Sequence, residues 1–181
     1  MSDLEEKFNQ LDFAVSRSLR YAAKRRAFFE RCNQIVRAII AICGAGTVAA
    51  VFGDGGAVVY FGAIVGFAAA IDLVFEFSKR TMTYDHLYHC YADLGIEMAT
   101  AGRTELDYRL FLTKRLQIEK HEPTSLDVLN VVCSNDELEA RGYEHRYKVR
   151  YWQKFFCQFG DFGKQDFPLI PATKEPLSSV T

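Results

Sequence analysis

Two opposite charges stand inside otherwise apolar text. Arg37 is the only charged residue between Ile35 and Phe52, and Asp72 is the only one between Ala57 and Phe75. Counted in residues, the two are equally far from the midpoint between Asp54 and Gly55, and Asn33 and Glu76 match each other in the same way. In a straight antiparallel hairpin Arg37 and Asp72 therefore share one depth, where an ion pair would offset much of what either charge alone costs in hydrocarbon. Such a pair can fix helix register. With Glu76 drawing cations to the inner mouth, it can also gate an ion path.

Other residue groups fall short of chemistry. His86 and His89 with Cys90 offer two ligands on one helical face, but nothing completes a four-ligand site, so no metal is expected. His121-Glu122 opens like a zincin motif, yet Ser125 stands where the second histidine is required. Gly44-Ala45-Gly46-Thr47-Val48-Ala49 fits a dinucleotide fingerprint after an apolar run, without the βαβ alternation or the acidic residue about 20 positions later that the fold requires. No nucleophile, base and orienting group come together. The chain reads as a non-enzyme with no cofactor.

The elements that must place Arg37 and Asp72 are the two apolar runs. At about 1.5 Å per residue, each reaches across most of a hydrocarbon core of roughly 30 Å. The sequence predicts an all-α membrane protein with a two-span hairpin, its spans at about 35–52 and 57–75, reversed at Gly53-Asp54-Gly55-Gly56. Leu4, Phe8, Leu11, Val15, Leu19, Ala22 and Phe29 carry helical spacing into the first run. The second span is expected to continue as one helix past Glu76 to Ala101-Gly102. Thr104 with Asp107 starts another helix, which Pro123 stops. Short helical text covers Ser125 to Val132, and Ser134-Asn135-Asp136 is expected to cap a last long helix to about Phe156. The resulting division is 1–34 as a basic amphipathic helix, 35–76 as the hairpin, 77–160 as cytoplasmic helices and 161–181 as a flexible tail.

Helical phase assigns faces. Asp72 shares one with Phe61, Val65 and Ala68, and Arg37 shares one with Ala41, Gly44 and Val48; both are expected to pack within the hairpin. Gly62, Gly66 and Ala70 form a small-residue row with Gly66 about 120° from Asp72, open for a second subunit. On the expected last helix Tyr143, Tyr147, Tyr151, Phe155 and Phe159 recur at steps of four, with Trp152, Arg146, Arg150 and Lys154 among them. That pattern suits packing against the helix from Thr104 to His121, or an interfacial face for anionic lipid or nucleotide.

Among 181 residues, 22 basic and 23 acidic side chains leave a net charge of −1, which excludes a broadly basic nucleic-acid binder. The apolar and aromatic content is too high for a disordered chain. Five cysteines without a Cys-x-x-Cys pair read as reduced thiols. The acidic start, Met1 to Lys7, has no apolar stretch of a secretory signal. Arg17, Arg20, Lys24, Arg25, Arg26, Arg31 and Arg37 precede or open the first span against Glu30 alone, and Lys79 and Arg80 follow the second. Positive flanks stay inside, so both termini are expected in the cytoplasm, with Asp54 outside and the chain multi-pass in the inner (plasma) membrane.

Taken in order along the chain, these features resemble the SLATT family, the SMODS- and SLOG-associating two-transmembrane effector domains. The resemblance spans roughly residues 15 to 160. It rests on Tyr21 with Lys24-Arg25-Arg26, the glycine-broken hairpin, Ile71-Asp72-Leu73-Val74 continuing into Phe77-Ser78-Lys79-Arg80, His86-Leu87-Tyr88, Ile118-Glu119 leading to Glu122-Pro123, and Asn135. The family's proline-rich stretch is reduced here to Pro123. The resemblance implies an oligomeric effector of a bacterial or phage defence system that perturbs the membrane when a nucleotide-signalling enzyme or sensor acts on it. Two competing readings are a membrane-anchored helical scaffold without pore activity and a soluble bundle with an unusually apolar hairpin.

Overall fold

A computed structural model of the chain describes residues 3–51, 56–158, 160 and 167–170. Its elements are α1 (Asp3–Val51), α2 (Ala57–Phe75), α3 (Phe77–Thr100), α4 (Glu105–Glu119), α5 (Asp127–Ala140), β1 (Arg146–Tyr147), α6 (Tyr151–Phe156) and β2 (Leu169–Ile170). The predicted helical class is what forms, and two helical stretches are long and apolar enough to cross a membrane. Of the expected reversal only Gly56 is described; Gly53, Asp54 and Gly55 lie outside the described residues. The chain divides into two compact units, Ala23–His86 and the combination of Met1–Ala22 with Leu87–Thr181.

In the second of these, Phe8, Leu11 and Val15 of α1 bury themselves with Tyr91, Leu94 and Met98 of α3 and Phe111 of α4. Positions 8, 11 and 15, and 91, 94 and 98, repeat at three and four residues, so each helix presents one apolar stripe to the core. Acidic Asp3, Glu5 and Glu6 open α1, where the helix dipole favours negative charge. The start of α4 carries the expected capping box: Thr104 Oγ1 accepts from the Asp107 N–H, and the Asp107 carboxylate accepts from the Thr104 N–H at 3.0 Å. Here α5 adds Val128, Leu129, Val132 and Cys133 to the buried set.

Within Ala23–His86, an aromatic clamp joins α1 to α3. The Phe29 ring stacks on Tyr84 at 5.6 Å, and the Arg25 guanidinium lies over Phe29 at 4.5 Å and Tyr84 at 5.4 Å. Arg26 Nη1 pairs with Asp85 Oδ1 at 2.8 Å. A guanidinium within reach of two aromatic rings gains a favourable quadrupole contact, and Arg25 is buried there.

Three sequence expectations give way. The second span does not continue as one helix: Glu76 adopts a left-handed conformation (φ 47°, ψ 49°) between α2 and α3. The hydrogen-bond ladder survives on both sides of it, with Glu76 N–H to Asp72 O at 2.8 Å and Arg80 N–H to Glu76 O at 3.0 Å. The break brings Phe75 and Phe77 into a 5.6 Å stack.

Ser134-Asn135-Asp136 caps no helix, because it lies inside α5. Ser134 Oγ donates to the Asn130 carbonyl, a bond a helix interior allows, and Asn135 turns its amide elsewhere. The last long helix is absent as well. Gly142 takes a left-handed φ of 77° after α5, with the Tyr143 N–H bonded to Leu138 O and the Gly142 N–H to Glu139 O, which is a Schellman ending. Beyond it, β1 pairs antiparallel with β2 (Arg146 opposite Ile170, Tyr147 opposite Leu169). That pairing falls where the sequence promised only a loose tail; residues 161–166 and 171–181 lie outside the described residues.

Candidate functional site

On α2 the half-buried or buried positions are Val58, Phe61, Val65, Ala68, Ile71 and Asp72, which is the face assigned to Asp72 by helical phase. On α1 the corresponding positions are Val36, Ile40, Cys43, Gly44 and Thr47, with Gly46 directly against the Phe61 ring. A Cβ on Gly46 would come within 3.2 Å of that ring, so glycine is what lets the helices close there. Thr47 Oγ1 donates to the Cys43 carbonyl at 2.8 Å, which satisfies the hydroxyl without water.

The α1 seam is therefore one residue off the expectation. Arg37 sits about 100° from Val36 and is exposed, as are Ala41 and Val48 of its supposed packing face. Among the described residues no ion pair joins Arg37 to Asp72, so the predicted pair is not formed. Val36 is buried at this level of α1, and the neighbouring Arg37 is exposed. Glu76 pairs with Lys79 at 3.1 Å, an exposed i,i+3 contact of small worth.

The glycine positions divide similarly. Gly44 is half-buried and Gly62 and Gly66 are exposed, and a Cβ at any of them would meet nothing within 4 Å. The row on α2 is open. Around it the large apolar side chains also face outward: Ile42 is 72% exposed, Val59 72%, Phe67 70% and Leu73 81%.

The basic and aromatic residues near the C-terminus do not share one helix. Tyr143 follows the α5 cap, Arg146 and Tyr147 lie in β1, and Arg150 precedes the six-residue α6. Arg146 Nη1 reaches Glu139 at 3.4 Å. Tyr151, Trp152 and Phe156 nevertheless remain exposed beside exposed Arg150 and Lys154, with Tyr151 at 95%. The expected four-residue stripe is replaced by a short patch whose underside, Gln153 and Cys157, is buried.

A site the sequence did not single out lies in the unit built from Met1–Ala22 and Leu87–Thr181. A polar cavity of about 430 Å³ is lined by Arg17, Ser18 and Tyr21 of α1, by Glu119, by Glu122 and its neighbours up to Ser125, and by Asn130 of α5. Tyr21 Oη accepts from the Leu126 N–H at 3.0 Å, fixing the segment that follows α4. Tyr91, with no exposed surface, donates its hydroxyl to Glu122 Oε2 at 3.1 Å. Burial, and then the Glu122 charge beside it, holds that phenol in its protonated form.

Burial also pushes the Glu122 carboxyl above its ordinary value. The neighbouring Glu119 pushes the same way, against the opposing pull of the Tyr91 hydroxyl, Arg17 and Arg115. Arg115 is committed to Glu119, with Nε at 2.9 Å and Nη2 at 2.5 Å from Oε1. Arg17 Nε is buried with no hydrogen-bond partner. Residues 119 and 122 enter the sequence reading only as parts of motifs. Glu122 is joined to Tyr91, 31 positions upstream and beyond local pattern.

His86, His89 and Cys90 assemble no ligand set: among the described residues no group of three or more metal-binding side chains comes together. All five cysteines are free thiols. Compared with models of protein families, with curated proteins and with solved structures, the chain matches none.

Proposed function

We propose that this chain is a two-span protein of the plasma membrane, with both termini cytoplasmic, whose hairpins assemble as a homo-oligomer and open a leak under the control of the helices outside the bilayer. The observation that carries the membrane reading is the burial of the apolar runs. In each, only 6% of the most apolar window is buried. A core helix of a soluble protein hides most of such a stretch, whereas these helices turn Ile42, Val59, Phe67 and Leu73 outward. Soluble monomers rarely expose contiguous apolar patches beyond a few hundred Å², and hydrocarbon removes the penalty.

The leak is supported by the open row of Gly62 and Gly66, which admits a second helix at close approach, and by Asp72 at the helix seam. The resemblance to the SLATT effectors supports the link to defence and to a nucleotide-signalling enzyme or sensor. The exposed Tyr151, Trp152 and Phe156 with Arg150 and Lys154 suit the headgroup region of an anionic leaflet.

Fractionation of expressing cells tests the first step. The chain should stay with membranes through an alkaline carbonate wash and leave them in detergent. Recovery in the soluble fraction without detergent overturns the reading. Membrane depolarisation on expression, lost in Asp72→Asn, tests the second. Full activity with an unrelated two-span anchor in place of residues 35–76 would favour the scaffold instead.

A further inference from the structure

We propose that Glu122 is a proton-sensing residue: one proton taken up in the cavity between α1, α4 and α5 tightens this helical unit, and its release as the surroundings become less acidic loosens it. The argument starts from what surrounds the carboxylate. From α3, Tyr91 gives it one hydrogen bond. From α1, Ser18 lines the cavity and Arg17 offers positive charge across it. From α4, Glu119 opposes ionisation, and Arg115 spends its two nearest nitrogens on Glu119. From α5, Asn130 closes the wall.

An ionised Glu122 is thus under-satisfied. It has a phenol for a donor, a like charge as its neighbour and a guanidinium nearby whose Nε bonds to nothing. Partial burial and a like charge beside a carboxylate both favour its neutral form, which is the direction in which Glu122 is pushed. The neutral acid fits the same place at no such cost. Room is available, because the cavity is large enough for Arg17 and Glu122 to change their separation as the charge comes and goes.

The sign of the effect follows from which state binds the proton more tightly. Burial raises the Glu122 carboxyl in the folded chain above its ordinary 4.5. Its contribution to stability is therefore fully present below that value and is lost as pH rises through the folded midpoint. Glu137 behaves oppositely: burial pushes it up, but Arg141 and Arg20 outweigh burial and hold it below the ordinary value. Its contribution is present above 4.5 and is lost on acidification. A whole-chain stability profile mixes the two, so a difference measurement is required.

The experiment is carbon-13 NMR of the full chain in lipid nanodiscs with the glutamate side-chain carboxyl carbons labelled, the Glu122 signal being assigned by its loss in E122Q. Its midpoint should lie above 4.5. It should move down in E119Q, where the like charge is gone, and up in R17Q, where the attraction is gone. A midpoint at or below 4.5, or one that ignores both substitutions, overturns the proposal. Denaturation profiles supply the second readout. Wild type should lose stability relative to E122Q as pH climbs past 4.5, and parallel profiles would refute the sensing role even if the resonance titrates late.

Discussion

The two units bury their residues by opposite rules. In Met1–Ala22 with Leu87–Thr181, apolar side chains point inward, and charges close the outside in bonded chains such as Asp12–Arg141–Glu137–Arg20, with contacts of 2.6, 2.7 and 2.6 Å. In the hairpin of Ala23–His86, the seam is thin and partly polar, with Thr47 and Asp72 in it, while leucine, isoleucine, valine and phenylalanine face out. The first arrangement is the one water favours. The second would be inside out in water, and it is the proposed bilayer that would supply a medium without hydrogen bonds to offer.

That contrast can be broken by substitution. Leu129 has no exposed surface, so Leu129→Ala should cost about 2–5 kcal/mol through lost burial and the cavity left behind. Leu73→Ala, at 81% exposure, should cost almost nothing in the same measurement. Chemical denaturation of both variants in nanodiscs checks the pair, and equal losses would mean that the units are packed alike. Next in size, Phe67→Arg places a charge on the outward face of α2. If lipid lies there, insertion should weaken by roughly 2.5–3.5 kcal/mol, read as a drop in the carbonate-resistant fraction. An unchanged fraction would return the hairpin to water.

The smallest effect belongs to Glu76. A side chain in the left-handed region costs about 1–2 kcal/mol, so Glu76→Gly should leave the fold intact and raise stability by up to about 1 kcal/mol. A loss instead would show that the Lys79 contact or the carboxylate itself matters more than the backbone.

How much of this was legible in the text depends on distance along the chain. The Thr104 capping box is chemistry between residues three apart, and it forms as written. The α2 seam follows from counting 100° per residue from Asp72. The α1 seam does not, because depth is set by residue number while rotation is set by which side chains fit, and Val36 with Gly46 decided it. Ser134-Asn135-Asp136 carries the right residue types for a cap, but the buried Val132, Cys133 and Leu138 around it hold α5 together. The ending that does form, at Gly142, is readable from the glycine, while the aromatic spacing across it suggests a helix that continues. Partners far apart in sequence left no local trace: β1 with β2, and Tyr91 with Glu122.

Asn135 shows how narrow such long-range joints can be. Its Nδ2 gives a hydrogen to the Tyr147 carbonyl at 2.8 Å, and its Oδ1 takes one from the Tyr147 N–H at 2.7 Å. One side chain thereby imitates the edge of a neighbouring strand. A carboxylate in place of that amide would leave oxygen at both ends, with no hydrogen for the carbonyl, and β1 would keep β2 and the exposed Arg146–Glu139 pair. The attachment of β1 to α5 thus turns on a single nitrogen atom.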